Sequence, residues 1–529
     1  MRDCMNKIIF TAVAAPGAGK TQALIEQLRN LITSGEKIVI ALPTLDLSSD
    51  IFSRMKSHGI TPKVINSNDC ARYATHAING TLRCGNESVM IITHEGLRRC
   101  DHKLLRSYIL VIDEVPDVFE IHHIPNLSHL EAKQINSVTE ERDGKLYIKN
   151  GLKTEISARV KTYQMAEKNN STSTMLSKNE YRIFETLLNQ GIVHTDAYKR
   201  KDNGKTAYNF HTIGNKEVFK HIDSAKEAHI LCANIEGGIF DLFAKKNGYR
   251  FKESRFTPGS YNYQCDITIY PMLNEPWSKG KVLRDNTGER HEEHLGVNNQ
   301  LIDSVFATAI NNSPTESFIA VQNSWGKFSK EYIPADHRPE IEFLRFDCRG
   351  LNTHDKKTAA IILLTGDPSP NDKKSFRVLA DEHGLDIKEL MKAWTVTKKL
   401  EAALQAVTRT AIRVRENTKA VHFYVQDMSV AEYFINTYMP NAKIDNSLAL
   451  PIPQKQDNRS NLNTNEKEKM FDYIRIMLKK GTPRPKVVKS IADTWDYSPT
   501  QARRFVRDIS ESTISEQEGP VDLTQFFVS

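Results

Sequence analysis

Eight residues near the start, Ala14-Ala15-Pro16-Gly17-Ala18-Gly19-Lys20-Thr21, narrow the options for this chain further than any other stretch. An apolar, strand-like run at 7–14 leads into them and an amphipathic helical pattern leads out. A Gly-rich turn in that position, closed by Lys-Thr, has the form of a phosphate-binding loop. Glycines let backbone N–H groups turn inward around a β-phosphate, and the cradle is formed by Ala15, Pro16, Gly17, Ala18 and Gly19. Lys20 offers a mobile ammonium to the β- and γ-phosphates, and the Thr21 hydroxyl is placed to ligate Mg2+.

Further apolar runs at 37–42, 89–93 and 108–113 alternate with amphipathic stretches, as buried parallel strands alternate with helices. Another strand is expected at 229–233 after a long gap, and a second alternating set at 266–270, 317–322, 341–346, 358–364 and 421–425. The fold class is therefore α/β, with two tandem units built on parallel sheets. A length of 529 residues suits three or four domains at roughly 150 residues each. The first is expected over 1–240, interrupted at about 118–226 by a polar, Lys-rich insertion, and the second over 241–450. The insertion contains Asn169-Asn170-Ser171-Thr172-Ser173-Thr174 and reads as partly flexible. A Pro, Gln and Asn-rich linker follows at 451–465, then a small helical module at 466–511 and a tail at 512–529.

At 26% charged residues the chain is too polar for a membrane protein, and its longest strongly apolar run, 359–364, falls far short of the about 20 residues that span a bilayer. Seven scattered cysteines and a first segment without the pattern of an export signal lead us to expect a cytoplasmic protein, in the host cytoplasm if viral. Lys and Arg number 72 against 65 Asp and Glu, a net charge of +7 that suits a polyanionic partner.

The strand at 108–113 ends in Asp113-Glu114, at the strand end where open α/β sheets bind ligands. Together with the loop upstream, this places Asp113 to hold Mg2+ through its water shell and Glu114 to orient and deprotonate an attacking water. The expected chemistry is nucleoside triphosphate hydrolysis.

At this point a family resemblance becomes specific. Asp113-Glu114-Val115-Pro116 resembles the D-E-x-x box of superfamily-two helicases, the DEAD/DEAH-like group, and other blocks follow in that family's order. Pro43-Thr44 resembles the motif whose loop holds the nucleic-acid backbone, and Thr93-His94-Glu95-Gly96 a second contact of that type. Cys232-Ala233-Asn234 sits where the family has Ser-Ala-Thr, and Arg349-Gly350-Leu351-Asn352 resembles the Gly-centred motif of the second domain. Gln405, Arg409 and Arg413 stand as Q-x-x-x-R-x-x-x-R, similar to the family's Q-x-x-G-R-x-x-R. The resemblance covers roughly residues 5–430 and implies two RecA-like domains, ATP with Mg2+, Gln405 in the nucleotide site, and an arginine finger supplied by Arg409 or Arg413. Two arginines four apart are expected on one helix face. Cys70, Cys84 and Cys100 fall where some helicases carry an iron-sulfur insert, but a fourth ligand is missing and three ordinary thiols are the better reading.

Past the linker, Ser498-Pro499-Thr500-Gln501 is a helix start with Ser498 as N-cap, Pro499 at the first position and Gln501 able to close a capping box. With the helical pattern at 485–495 it forms a helix-turn-helix. Ala502, Phe505, Val506 and Ile509 face its core, and Arg503, Arg504 and Arg507 face outward toward phosphates or base edges, or toward a docked protein. The tail, with Leu523, Phe526 and Phe527, looks like a sliding-clamp-binding peptide; packing back on the body is the alternative. His291-Glu292-Glu293-His294 lacks the i, i+4 histidine pair of a zinc protease and reads as a solvated charged loop.

The function these features imply is an ATP-dependent DNA helicase or translocase of phage or plasmid replication or recombination type, acting on single-stranded or forked DNA, with RNA not excluded. A viral DNA-packaging ATPase and an ATP-switched replication initiator or loader are the competing readings. No membrane partner is expected.

Overall fold

The computed structural model describes residues 7–66, 74–168, 176–199, 206–315, 317–333, 339–345, 354–454, 464–495 and 497–509. They fall into two compact units, Met1–Pro453 and Gln454–Ser529.

The larger unit begins with strands β1 (Lys7–Val13), β2 (Lys37–Leu42), β3 (Lys63–Val64), β4 (Val89–Thr93) and β5 (Tyr108–Asp113). An insertion contributes β6 (Phe119–Leu127), β7 (Thr139–Arg142), β8 (Lys145–Ile148), β9 (Ile192–Lys199) and β10 (Thr206–Asn215), after which β11 (Glu227–Cys232) and β12 (Tyr249–Glu253) return to the first sheet. That sheet has seven strands in the order β12-β1-β11-β5-β2-β4-β3, all parallel. Its central strands read as unbroken apolar runs because helices cover both faces. On one face Leu24, Ile25 and Leu28 pack with Ile51 and Met55; on the other Ile78, Leu82, Phe240 and Phe243 pack with Ile112 and Ile230. Each such side chain contributes about 1.5–3 kcal/mol on burial.

β12 lies in the first sheet, so this lobe extends past residue 240, to the buried Phe256. The two edge strands β3 and β12 escaped the sequence reading because one is two residues long and the other only half-buried.

The insertion is more ordered than expected. Its five strands form an antiparallel sheet, β6-β10-β9-β8-β7, with helices His129–Val138, Lys153–Lys168 and Lys178–Leu188 around a core of Ile124, Ile135, Ile156, Ile183, Phe184 and Phe210. β6 is half-buried along most of its length and β10 buries the polar His211 and Thr212, so neither shows an apolar run, and the Lys-rich composition masked them further. The Asn/Ser/Thr run lies outside the described residues.

The second lobe has β13 (Ile267–Leu273), β14 (Ser317–Gln322), β15 (Glu340–Phe343), β16 (Ala359–Leu363), β17 (Val421–Asp427) and β18 (Lys443–Ile444). They form a parallel sheet in the order β15-β14-β16-β17-β13-β18, with one apolar core on each face. Two parallel α/β sheets in tandem are the expected RecA-like pair.

Two helices of the second half of the chain, Pro370–His383 and Ile387–Thr395, pack elsewhere. Their Phe376, Leu379, Leu390 and Ala393 enter the first lobe's core beside Phe240 and Phe243. Polar contacts tie the same hairpin to the insertion: Lys374 to Asp196 at 2.8 Å and Ser375 to His194 at 3.1 Å. His294 departs from the solvated loop expected of it, being buried and bonded to Asp303 at 2.8 Å, while Glu292 and Glu293 stay exposed.

The smaller unit contains helices Thr464–Lys479, Arg484–Trp495 and Pro499–Asp508 around Met470, Tyr473, Ile474, Val487, Ile491, Ala502 and Val506. Ser498 caps the last helix in a capping box with Gln501. Among the described residues no helix is long and apolar enough to cross a membrane.

Candidate functional site

The loop after β1 passes directly into helix Lys20–Thr33, whose N-cap Gly19 makes no side-chain bond, so the helix's first N–H groups face the cleft. Gly17 and Gly19 sit at φ +87° and +94°, in the left-handed region that favours glycine. Space adds to this at Gly17, where a Cβ would lie 3.0 Å from the Arg413 carbonyl oxygen, while a Cβ on Gly19 would meet only the movable end of the Arg415 side chain at 2.9 Å. Lys20 is half-buried, desolvation of its ammonium lowers its pKa, and that ammonium donates to the carbonyls of Ala14 (2.6 Å) and Ala15 (3.1 Å).

Asp113 ends β5 buried. Burial pushes its carboxyl up to about 6 even though the charges of Lys20, Arg413 and Arg409 oppose the shift. Glu114 has a φ of 67°, costly for a residue with a Cβ, and its N–H donates to Leu231 O at 2.7 Å. That turn takes Glu114 off the strand end and into the cleft, where a carboxylate oxygen lies 3.7 Å from Arg409 Nη2.

From the second lobe, helix Glu401–Val407 carries Gln405 and stops. Thr408 and Thr410 hydroxyls donate back to Leu404 O (2.9 Å) and Val407 O (2.7 Å), and the Arg409 N–H bonds Ala406 O, so the last turn tightens and ends. Arg409 and Arg413 thus leave from a turn and a short 3-10 segment, not from the single helix face their spacing suggested. Both still face the cleft between the lobes. Burial, then the neighbouring Arg409 charge, lowers Arg413 to about 10, so it stays cationic near neutral pH. A cavity of about 250 Å3 is lined by Gly17, Lys20, Thr21, Asp113, Glu114, Gln405, Arg409 and Arg413.

Cys232-Ala233-Asn234 joins the lobes. Asn234 Nδ2 donates to the Tyr433 hydroxyl at 2.9 Å, and the Tyr438 hydroxyl donates to the Ala233 carbonyl. The Tyr433 hydroxyl in turn donates to Glu401, which lines an adjoining cavity of about 290 Å3 with Asn234, Thr397 and Gln405. Burial pushes Cys232 up to about 12, so its thiol stays protonated.

The expected nucleic-acid contacts lie at the C-terminal ends of β2 and β4, largely engaged in local structure. Thr44, after Pro43, caps helix Leu45–Ser57, and Thr93 caps His94–Arg99 through Gly96 N at 3.0 Å. His94 Nε2 donates to the Asp113 carbonyl at 2.9 Å, linking this surface to the acidic strand end. Arg503, Arg504 and Arg507 are exposed on the last helix. Arg349 to Asn352, Cys70 and the tail with Leu523, Phe526 and Phe527 lie outside the described residues.

Several site residues escaped the sequence reading. Arg54 and Asp50 line the same cavity from helix Leu45–Ser57, Tyr263 donates to Pro16 O at 2.9 Å, and Arg415 donates to Ala18 O at 2.7 Å. The Arg413-Val414-Arg415 alternation was a usable signal for the last; Glu401, an acid on an apolar helix, was one for the interlobe network. The hard oxygen donors Thr21 and Asp113, beside helix N–H groups, suit a Mg2+-triphosphate.

No protein-family model matches the sequence, and no curated protein matches it. Among solved structures, Xpd4 of S. tokodaii is similar at 12% identity, covering 83% of this chain and 96% of that one with a TM-score of 0.45. The NS3-like helicase of Alongshan virus is 10% identical, covering 90% and 81% with a TM-score of 0.29. Dbp5 of S. cerevisiae, bound to RNA and ADP BeF3, is 10% identical, covering 85% and 86% with a TM-score of 0.30.

Proposed function

We propose that the chain is a nucleoside-triphosphate-driven helicase or translocase acting on nucleic acid, with DNA as the favoured strand. One observation carries this reading: Lys20, Thr21, Asp113 and Glu114 of the first lobe share a single cavity with Arg409 and Arg413 of the second. Lys20 exchanges its loop carbonyls for the β- and γ-phosphates, Glu114 orients and deprotonates the attacking water, and Arg409 or Arg413 meets the charge that develops on the γ-phosphate. Thr21, and Asp113 through water, would hold Mg2+, which would supply charge neutralisation of the phosphates.

Because the arginines belong to the lobe opposite the phosphate loop, triphosphate draws the lobes together and hydrolysis releases them. The interlobe chain of Asn234, Tyr433 and Glu401 reports that change away from the cavity, and His94 connects it to the outer surface where Thr44 and Thr93 stand. The exposed arginines of the last helix supply a second, salt-sensitive contact. The insertion and the helical module support assignment to the phage or plasmid replication and recombination type.

Turnover measured with single-stranded DNA, duplex DNA and RNA as stimulants tests the proposal, followed by strand displacement from a forked duplex. Stimulated turnover with displacement supports it. Metal-dependent DNA cutting would point to the packaging motor, and triphosphate-gated site binding without displacement to the initiator.

A further inference from the structure

We propose that Arg415 and Tyr261 hold the nucleoside end of the triphosphate, gripping the base by its face rather than its edges. The inference deepens the triphosphatase reading above and rests on it.

Sheet order sets the direction of the bound molecule. The strands run β12-β1-β11-β5, and the γ-phosphate end belongs beside Asp113 and Glu114 at the end of β5. The phosphate chain then follows the loop between β1 and its helix, so the nucleoside leaves on the opposite side of β1, where β12 lies. Tyr261 and Tyr263 sit in the segment that follows β12, and Tyr263 is bonded to Pro16 O at 2.9 Å. Arg415 reaches the same place from the second lobe, donating to Ala18 O at 2.7 Å.

The chemistry of the pair suits a flat ring. The Arg415 guanidinium lies 5.5 Å from the Tyr261 ring centroid, with Tyr263 edge-on to that ring at 5.4 Å. Arg415 is exposed overall while its guanidinium is held against the phosphate loop, and a base laid on that guanidinium would complete a three-layer stack with Tyr261. The Tyr261 hydroxyl is buried with no hydrogen-bond partner, and a ribose hydroxyl is the group that would satisfy it. Neither Tyr261 nor Arg415 presents the paired donor and acceptor that would read one base edge. Every base has a π-face, so stacking of this kind tolerates any of the four.

Binding of ATP, GTP, CTP, UTP and inorganic triphosphate to the wild type and to Arg415→Ala, Tyr261→Leu and Tyr261→Phe tests this, with the Mg2+ concentration held constant. We expect the four nucleotides to bind the wild type within about tenfold of one another, and Arg415→Ala and Tyr261→Leu to lose about tenfold or more for ATP with inorganic triphosphate unchanged. Tyr261→Phe keeps the ring and most of the affinity, which preserves the test if the leucine variant unfolds. Equal losses for ATP and inorganic triphosphate, unaltered ATP binding in Arg415→Ala, or a wild-type preference for one base above about 100-fold would each overturn the assignment. A wild type that binds neither ATP nor inorganic triphosphate would instead refute the triphosphatase reading, and this inference with it.

Discussion

In the first lobe, Lys20 and Thr21 open the helix that follows β1 and its loop, and Asp113 and Glu114 end β5, so one parallel sheet, with β11 between the two strands, fixes all four. In the second, Arg409, Arg413 and Arg415 hang from a stretch that has already left its helix at Val407. The first set is one rigid half-site; the second reaches it only through packing between lobes. Chemistry that depends on the first set should fail completely when one member is lost, whereas the second set divides its work, Arg409 and Arg413 in the cavity and Arg415 against the Ala18 carbonyl, and should fail by degrees. The largest expected effect is therefore in the first lobe: Lys20→Ala and Glu114→Gln each abolish hydrolysis while nucleic-acid binding, followed by fluorescence anisotropy, survives. Undiminished turnover in either variant would remove the assigned site.

On the second lobe, Arg409→Ala and Arg413→Ala should differ. The one that meets the γ-phosphate loses on the order of 10³-fold in kcat, at the lower end of what an arginine finger contributes. Arg409, buried and 3.7 Å from Glu114, is the stronger candidate; Arg413 should lose less and show it in KM. Identical kcat losses for both would merge the two roles and blur the contrast between lobes.

Anchoring of the second set is a question of stability. A π-helical turn, Val396–Leu400, precedes the helix that carries Gln405, and it points Lys399 inward at Asp427, 2.8 Å away on β17. Burial alone would raise Asp427, but the Lys399 charge and hydrogen bonds from Lys399, Ser429 and the Trp277 N–H outweigh it and hold the carboxyl below its ordinary value. Lys399→Met leaves a buried carboxylate unpaired and should cost about 3–5 kcal/mol in urea unfolding, largely recovered in the double variant with Asp427→Leu. A loss below about 1 kcal/mol would mean that the pair does not anchor this turn.

How far the sequence reached follows the same division. The central strands and the loop were legible because each is a contiguous local pattern: an apolar run buried on both faces, a glycine turn, two acids at a strand end. The antiparallel insertion was not, since β6 is largely half-buried and β10 buries the polar His211 and Thr212, so both carry the polar composition of a linker. Nor could local pattern show that the hairpin around Phe376 and Leu390 packs on the opposite lobe, because amphipathic helices declare an apolar face without naming its partner. Arginine spacing gave the right residues on a wrong helix, for the Thr408 and Thr410 hydroxyls compete with the helical backbone in a way spacing does not reveal.

The smallest effect concerns Glu401, where the lobes meet in the adjoining cavity. Burial pushes its carboxyl up to about 7 from an ordinary 4.5, against the hydrogen bonds from Tyr433 and Asn234 and the attraction of Lys20. Between those values the folded chain holds a proton that the unfolded chain has released, so stability is greatest at the acid end of this window and declines as pH rises through it. Asp113 adds a contribution of the same sign that ends near pH 6. Glu401→Gln, which mimics the protonated form, should match the wild type at pH 5 and exceed it by on the order of 1–3 kcal/mol at pH 8, read as a shift in urea midpoint. The segment of slope between pH 6 and 7 should vanish in the variant while the part below pH 6 remains. If instead the slope persists unchanged, Glu401 is ionised across the whole range, and the contact between the lobes is a charged one rather than the neutral hydrogen-bonded link that the second lobe's conditional geometry requires.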